Sequence, residues 1–160
     1  MKANYRCRTA TRKDAERIIE LVRSILPEFG LTFSPENSEA DLVNFEDYYL
    51  QSGGMFLLLE DEQRSLIGTV GLGKVTDELV KLRKMYVHPS YRGLGLGELL
   101  LQQVLHHAEK MNFHRVRLDT YHSMTSAINL YKKYGFAEID DPATSVRCDI
   151  VMELVLPLKQ

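Results

Sequence analysis

The chain has 160 residues, the size of one ordinary domain and too short for two nucleotide-binding folds. Apolar residues make up 44% and charged residues 26%, and the formal net charge of -2 leaves no basic footprint for nucleic acid, so any anionic ligand has to be met by local geometry. No run approaches the roughly eighteen apolar residues of a membrane span and the opening MKANYRCRT lacks an apolar export core, which sets the expectation of a cytoplasmic protein without a membrane partner.

In chain order, Tyr5, Cys7 and Thr9 alternate with Arg6 and Arg8, the period of a strand with one covered and one wet face. In TRKDAERIIELVRSILP, Thr11 and Asp14 form a capping pair. Ala15, Ile18, Ile19, Val22, Ile25 and Leu26 then make a helical stripe that Pro27 stops. Ser34-Pro35 predicts the cap and first position of a second helix carrying Leu42, Val43, Phe45, Tyr48 and Tyr49. After Gly53-Gly54, MFLLLE, LIGTVGLGKV and VKLRKMYV read as three strands of an antiparallel meander. A glycine-rich loop follows, then a stripe of Leu96, Leu99, Leu100, Val104, Leu105, Ala108 and Met111. RVRLDTY is a strand reached through that helix and hence parallel to the one before it. A helix over residues 125–134, closed by Gly135, and strands over 136–139 and 146–154 complete the chain. Cys7 and Cys148 lie far apart without metal-ligand spacing and read as reduced thiols, and no metal site is expected. The order β-α-α-β-β-β-α-β-α-β-β describes a single domain, residues 1–160, with a mixed α/β sheet and helices on its faces.

The loop in YRGLGLGELLL invites an anion. Gly93, Gly95 and Gly97 let backbone approach a ligand without Cβ clashes, N–H groups converge at a helix start, and Arg92 adds positive charge. A Walker A loop is ruled out, because Gly97 is followed by Glu98-Leu99 and not by lysine and a hydroxyl residue. A dinucleotide fingerprint stays open as an alternative, with Asp119 about twenty residues on, although the glycines run GxGxG where GxGxxG is needed.

The longer run VKLRKMYVHPSYRGLGLGELLL resembles the GNAT family of N-acetyltransferases, whose acetyl-CoA signature is Arg or Gln, two residues, Gly, one residue, then Gly or Ala. Here those positions are Arg92, Gly95 and Gly97. AINLYKKYGF resembles the family's second signature, and the element order matches over nearly the whole chain. The resemblance implies a mostly antiparallel sheet with one central parallel crossover, and acetyl-CoA as cosubstrate. It further implies that the pantetheine arm lies along Met85, Tyr86 and Val87, and that Arg92, Gly93, Leu94, Gly95, Leu96, Gly97 and Glu98 hold the pyrophosphate. Met124 stands where many members carry a cofactor-binding asparagine, and Asn129 is the nearby substitute; Lys132 and Lys133 are placed for the 3′-phosphate. Tyr131 matches the family's tyrosine acid, whose phenol has a normal pKa of about 10, above that of a thiol. Asp119 is the candidate base, Lys81 takes a fourth-strand position where other members have a glutamate, and Glu78 and His122 are further candidates. The expected function is acetyl transfer to a primary amine of a small molecule, such as an amino acid or polyamine, or of a peptide. A non-catalytic acyl-CoA-binding module and a dinucleotide oxidoreductase are the alternatives. A homodimer is compatible with this reading, and residues 29–49 and 140–146 are expected to select the acceptor.

Overall fold

The computed structural model describes residues 3–142 and 147–158, and among these the elements follow the expected order. They are β1 Arg6–Thr9, α1 Ala15–Ile25, α2 Ala40–Val43, β2 Met55–Glu60, β3 Leu66–Lys74, β4 Leu79–Val87, α3 Leu96–Lys110, β5 Arg115–Thr120, α4 Thr125–Lys133, β6 Ala137–Ile139 and β7 Ile150–Val155. One sheet runs in the order β1-β2-β3-β4-β5-β7-β6, antiparallel throughout except between β4 and β5, which are parallel.

The core lies in two layers, one on each face of the sheet. Phe56 and Leu58 of β2 pack with Ile18, Val22, Leu42 and Phe45 of the α1 and α2 region, whereas Leu57 and Leu59 join Leu100 and Val104 of α3 on the opposite face. Burial on both faces is why MFLLLE is apolar without alternation. On the α2 side, β3 is pared down to glycine where aromatic rings come close. A Cβ at Gly71 would meet the rings of Phe56 and Tyr49 at 2.6 and 2.7 Å, and one at Gly73 would meet Tyr48 at 2.6 Å.

Three expectations are corrected. The second helix does not begin at Pro35: the Ser34 carbonyl accepts the N–H groups of Asn37 and Glu39, closing a turn, and α2 starts only at Ala40. The buried carboxylates of Glu39 and Asp41 find ion-pair partners outside their own helix, which overrides the capping signal, and Val43 is left exposed. Tyr48 and Tyr49 belong to a π-turn, Glu46–Leu50, that carries their rings onto Gly73 and Gly71. The last strand begins at Ile150; Val146 lies outside the described residues. In β1, Arg8 is not wet but partly buried, and Thr9 is exposed.

Arg8 is drawn in by two carboxylates. Asp14 accepts both of its terminal nitrogens, at 2.8 and 3.0 Å, and also the Thr11 N–H at 2.9 Å, while Glu60 accepts Arg8 Nε and Arg17 Nη1. The Arg8 guanidinium beside it is the main reason that the Asp14 carboxyl falls to about 2. Because this folded value lies below the unfolded one, the stabilisation is complete above about pH 4, declines as pH falls toward 2, and amounts to about 2 kcal/mol at neutral pH. Asp14→Asn is therefore expected to lower urea-unfolding stability by about that amount at pH 7, with the gap to the parent closing between pH 4 and pH 2. A gap independent of pH would show that the carboxylate charge is not the stabilising element.

Candidate active site

The geometry of the site starts from one additional residue in β4. Tyr86 pairs with Thr69 and Arg83 with Gly71, so three steps on β4 span two on β3. The surplus is absorbed at Lys84, whose φ of 56° is left-handed, and Thr69 Oγ1 fixes the kink by donating to the Lys84 carbonyl at 2.8 Å. Beyond it, β4 turns away from β5. The parallel ladder covers only Leu79–Lys81 against Arg115–Arg117, although β4 runs on to Val87 and β5 to Thr120. A cleft opens between the two strands, and the backbone of Met85, Tyr86 and Val87 borders it.

At the end of β4, a short 3-10 turn leads to the glycine loop. Gly93 and Gly95 both have φ of 78°, and Gly95 is the N-terminal cap of α3. Gly97 is different. Its φ is ordinary and a Cβ there would meet only Val87 Cγ2, at 4.0 Å, so neither backbone strain nor packing inside the chain calls for glycine. Among the described residues, the N–H groups from Gly93 to Glu98 have no backbone acceptor, as expected where a fifteen-residue helix begins. The loop thus presents unmatched donors at the positive end of α3, with no side chain in the way at Gly97: a fit for a phosphate group.

The charged side chains around the loop are engaged with one another. Arg92 donates Nε to the Val87 carbonyl at 3.0 Å and holds Glu28 through both terminal nitrogens, at 3.2 and 2.9 Å. Glu98 accepts from Lys133 Nζ and the Tyr134 hydroxyl, both at 2.7 Å, which holds its carboxyl below the usual range and ties the first turn of α3 to the end of α4. The side chain of Leu94 is exposed and that of Leu96 buried. The donors this loop leaves unmatched are therefore main-chain N–H groups, while Arg92 and Lys133 are held by carboxylates.

Tyr131 is buried on the inner side of α4 against Phe136, with ring centroids 5.7 Å apart. Burial pushes its phenol well above the usual range, reinforced by the nearby Tyr86 and Cys148, so the group stays protonated at any working pH. Tyr86 is itself pushed up to about 12, mostly by burial, with Glu39 and Arg147 within electrostatic reach. Asn129, two residues from Tyr131, lies on the solvent side of the same helix, and Met124 is half-buried at its cap. Lys132 is exposed.

Lys81 is the last residue of β4 paired with β5 and Asp119 lies two residues past the last paired residue of β5, with Lys81 Nζ 2.8 Å from Asp119 Oδ2. The two fourth- and fifth-strand candidates thus form one ion pair. Glu78 precedes β4 and lies roughly 25 Å of extended chain before Tyr86. His122 holds Asp149 at 2.6 Å on the exposed rim.

A group that sequence reasoning missed lies on the α2 side of β4. Asp41, buried, accepts from the Tyr49 hydroxyl through Oδ2; its Oδ1 lies 3.1 Å from Lys84 Nζ and 3.7 Å from Arg83 Nη2, with no hydrogen bond directed at it. Burial lowers the Lys84 ammonium, against the opposing pull of Asp41. Glu39, buried in the same turn, holds Arg147 at 2.9 Å, and Arg147 also donates to the Thr32 carbonyl at 2.7 Å. The chain between β6 and β7 is thereby joined to the α1–α2 segment. Nothing in the spacing of these residues marks them, because their ion pairs join positions more than forty apart. Of the two segments expected to select the acceptor, Ala143 to Val146 lie outside the described residues.

Residues 18–136 match the acetyltransferase (GNAT) family. The chain is 32% identical over 138 residues to YjgM of Escherichia coli, described as an uncharacterized N-acetyltransferase, covering 83% of this chain and 82% of that protein. An acetyltransferase of the GNAT family from Staphylococcus aureus superposes with a TM-score of 0.88 at 29% identity, over 96% of this chain and 100% of that one. A phosphinothricin acetyltransferase from Sinorhizobium meliloti, solved in complex with acetyl-CoA, shares the fold with a TM-score of 0.75 at 20% identity, over 98% and 89%.

Gly97 offers the cleanest test of the loop. Gly97→Val places a branched side chain where a phosphate held by this loop would meet backbone, at a position with ordinary φ and open space. The variant is expected to fold with near-parent stability and to lose the rise in melting temperature that acetyl-CoA gives the parent by mass action. An equal rise in both proteins would remove the loop from the binding site. Gly95→Val is less informative, since its φ of 78° strains any branched residue.

Proposed function

The chain belongs to the GNAT acetyltransferase family, and on that premise we propose that it transfers an acetyl group from acetyl-CoA directly to a primary amine of a small molecule or peptide. The observation that carries the reading is the parting of β4 from β5 directly beside an open glycine loop. Bound acetyl-CoA supplies the activated thioester. The N–H groups of Gly93 to Glu98 hold the pyrophosphate, and Gly97 gives it room. Met85, Tyr86 and Val87 offer main-chain groups to the pantetheine arm, as an added strand would use them. A backbone N–H on this edge is positioned to stabilise negative charge on the reacting carbonyl oxygen.

In the reaction the amine nitrogen bonds to the acetyl carbon, the carbon–sulfur bond breaks, the amine loses a proton and sulfur gains one. Tyr131 gives the proton to sulfur. Its burial favours that role, because a phenol that never ionises at working pH donates and does not accept. Asp119 receives the amine proton, directly or through water, and Lys81 keeps its carboxylate oriented at the point where the strands diverge. The N-acetyltransferase relatives support an enzyme over a non-catalytic acyl-CoA module, and the family match supports acyl transfer over hydride transfer.

Two substitutions test these roles. Tyr131→Phe is expected to retain near-parent CoA affinity while kcat falls by roughly ten- to a thousand-fold and the acceptor KM changes little. An unchanged single-turnover rate of acetyl transfer would exclude the phenol as proton donor. Asp119→Asn is expected to lower turnover mainly below the pKa of the acceptor amine, the deficit shrinking as pH rises; a uniform deficit across pH would mark Asp119 as structural.

A further inference from the structure

Along the α2 side of β4, each carboxylate lies behind its cation. The side chains of Glu39, Asp41 and Asp119 are 0%, 1% and 6% exposed, whereas those of Arg147, Arg83 and Lys81 beside them are 19%, 25% and 14% exposed; Lys84, the nearer partner of Asp41, is 7% exposed. Three negative charges are therefore withdrawn into the protein, and a molecule entering beside β4 meets guanidinium and ammonium groups first. Tyr86, one bulge beyond Arg83, links this wall to the proton donor. It packs against the α2-side core, and Glu39, Arg147, Asp41 and Tyr131 are all within electrostatic reach of it.

Arg83 is the best placed of these cations. It is opposite Gly71 in the ladder and two residues from Lys81, hence on the same face of β4. Tyr48 fixes its direction. The guanidinium lies over that ring at 5.4 Å and donates to the Tyr48 hydroxyl at 3.0 Å, while the ring is seated against Gly73. Nη2 donates to the Ser38 carbonyl at 3.2 Å and lies 3.7 Å from Asp41 Oδ1 without a hydrogen bond to it, so Nε and part of the terminal N–H set of the five-donor fork remain for a planar, two-oxygen anion.

Resting on the acyl-transfer reading above, we propose that the acceptor is a primary amine carrying a carboxylate, of the amino-acid class, and that Arg83 receives that carboxylate. The same wall disfavours a polyamine, whose second ammonium would stand against Arg83. It also favours the neutral, attacking form of the acceptor amine, since neighbouring positive charge lowers an amine's pKa. Arg83 is a specificity residue in this scheme and takes no part in the proton transfers.

The test uses the full chain, acetyl-CoA, and a panel of the common L-amino acids, their α-carboxamides and spermidine, with release of CoA thiol as the readout. The expected result is an amino acid turned over with kcat/KM at least tenfold above that of its own amide, and spermidine below both. Arg83→Gln is expected to cut that acid-to-amide ratio at least tenfold through the KM of the acid, while acetyl-CoA still raises the melting temperature; Arg83→Lys restores part of the ratio. A preference for amides or spermidine overturns the proposal, as does turnover of no amino acid by a protein that binds acetyl-CoA, or an equal loss for acid and amide in Arg83→Gln. A parent protein that neither binds acetyl-CoA nor releases thiol with any amine would instead refute the acyl-transfer reading, and the proposal with it.

Discussion

The surplus residue in β4 is the constraint on which the site depends. A regular ladder would carry β4 alongside β5 to its end, and every main-chain group between the two strands would be satisfied within the sheet. Three residues spanning two positions of β3 force a left-handed Lys84, and the strand bends before it reaches Tyr86. Main-chain groups that a sheet would normally pair are then left unpaired where the two strands part. The Thr69 hydroxyl bound to the Lys84 carbonyl holds the distortion in place, so the opening is built into the resting fold.

Charge placement follows from the same bend. Turning β4 aside brings Arg83 and Lys84 against the α1–α2 segment, where Asp41 would otherwise be an uncompensated charge in an apolar layer; Glu39 is compensated by Arg147, from the chain between β6 and β7. Burying a carboxylate is tolerable only with a partner, and removing one member of such a pair leaves the other exposed to the full desolvation cost. The cations therefore have a structural duty as well as a place beside the cleft. On the other side of the sheet the glycine loop relies on main-chain donors, and Arg92, Glu28, Glu98 and Lys133 neutralise one another around it.

Much of the fold was legible in the sequence because it rests on local periodicity. The stripe of α1, the apolar runs and turns of the β2–β3–β4 meander, the leucines of α3 and the glycine after α4 each act over a few residues, and each produced the expected element. The parallel relation of β4 and β5 followed from the helix between them. The start of the second helix differs from expectation because Ser34-Pro35 is a local capping signal, and long-range pairs of Glu39 with Arg147 and of Asp41 with Lys84 outweighed it.

For the site, the sequence by itself determined the glycine loop and its two-signature context, since the spacing of Arg92, Gly95 and Gly97 and the LYKKYGF run are properties of contiguous residues. Only the tertiary structure decided that φ demands glycine at Gly95 whereas nothing inside the chain demands it at Gly97, that Arg92 is held by Glu28, and that Lys81 and Asp119 form one pair. It alone assembled Glu39, Asp41, Arg83, Lys84 and Arg147 beside Tyr86. The physical reason is reach. A hydrogen bond or ion pair acts over a few ångströms in space but joins residues dozens of positions apart, so its partners are set by how strands bend and helices dock, and no pattern along the chain records them.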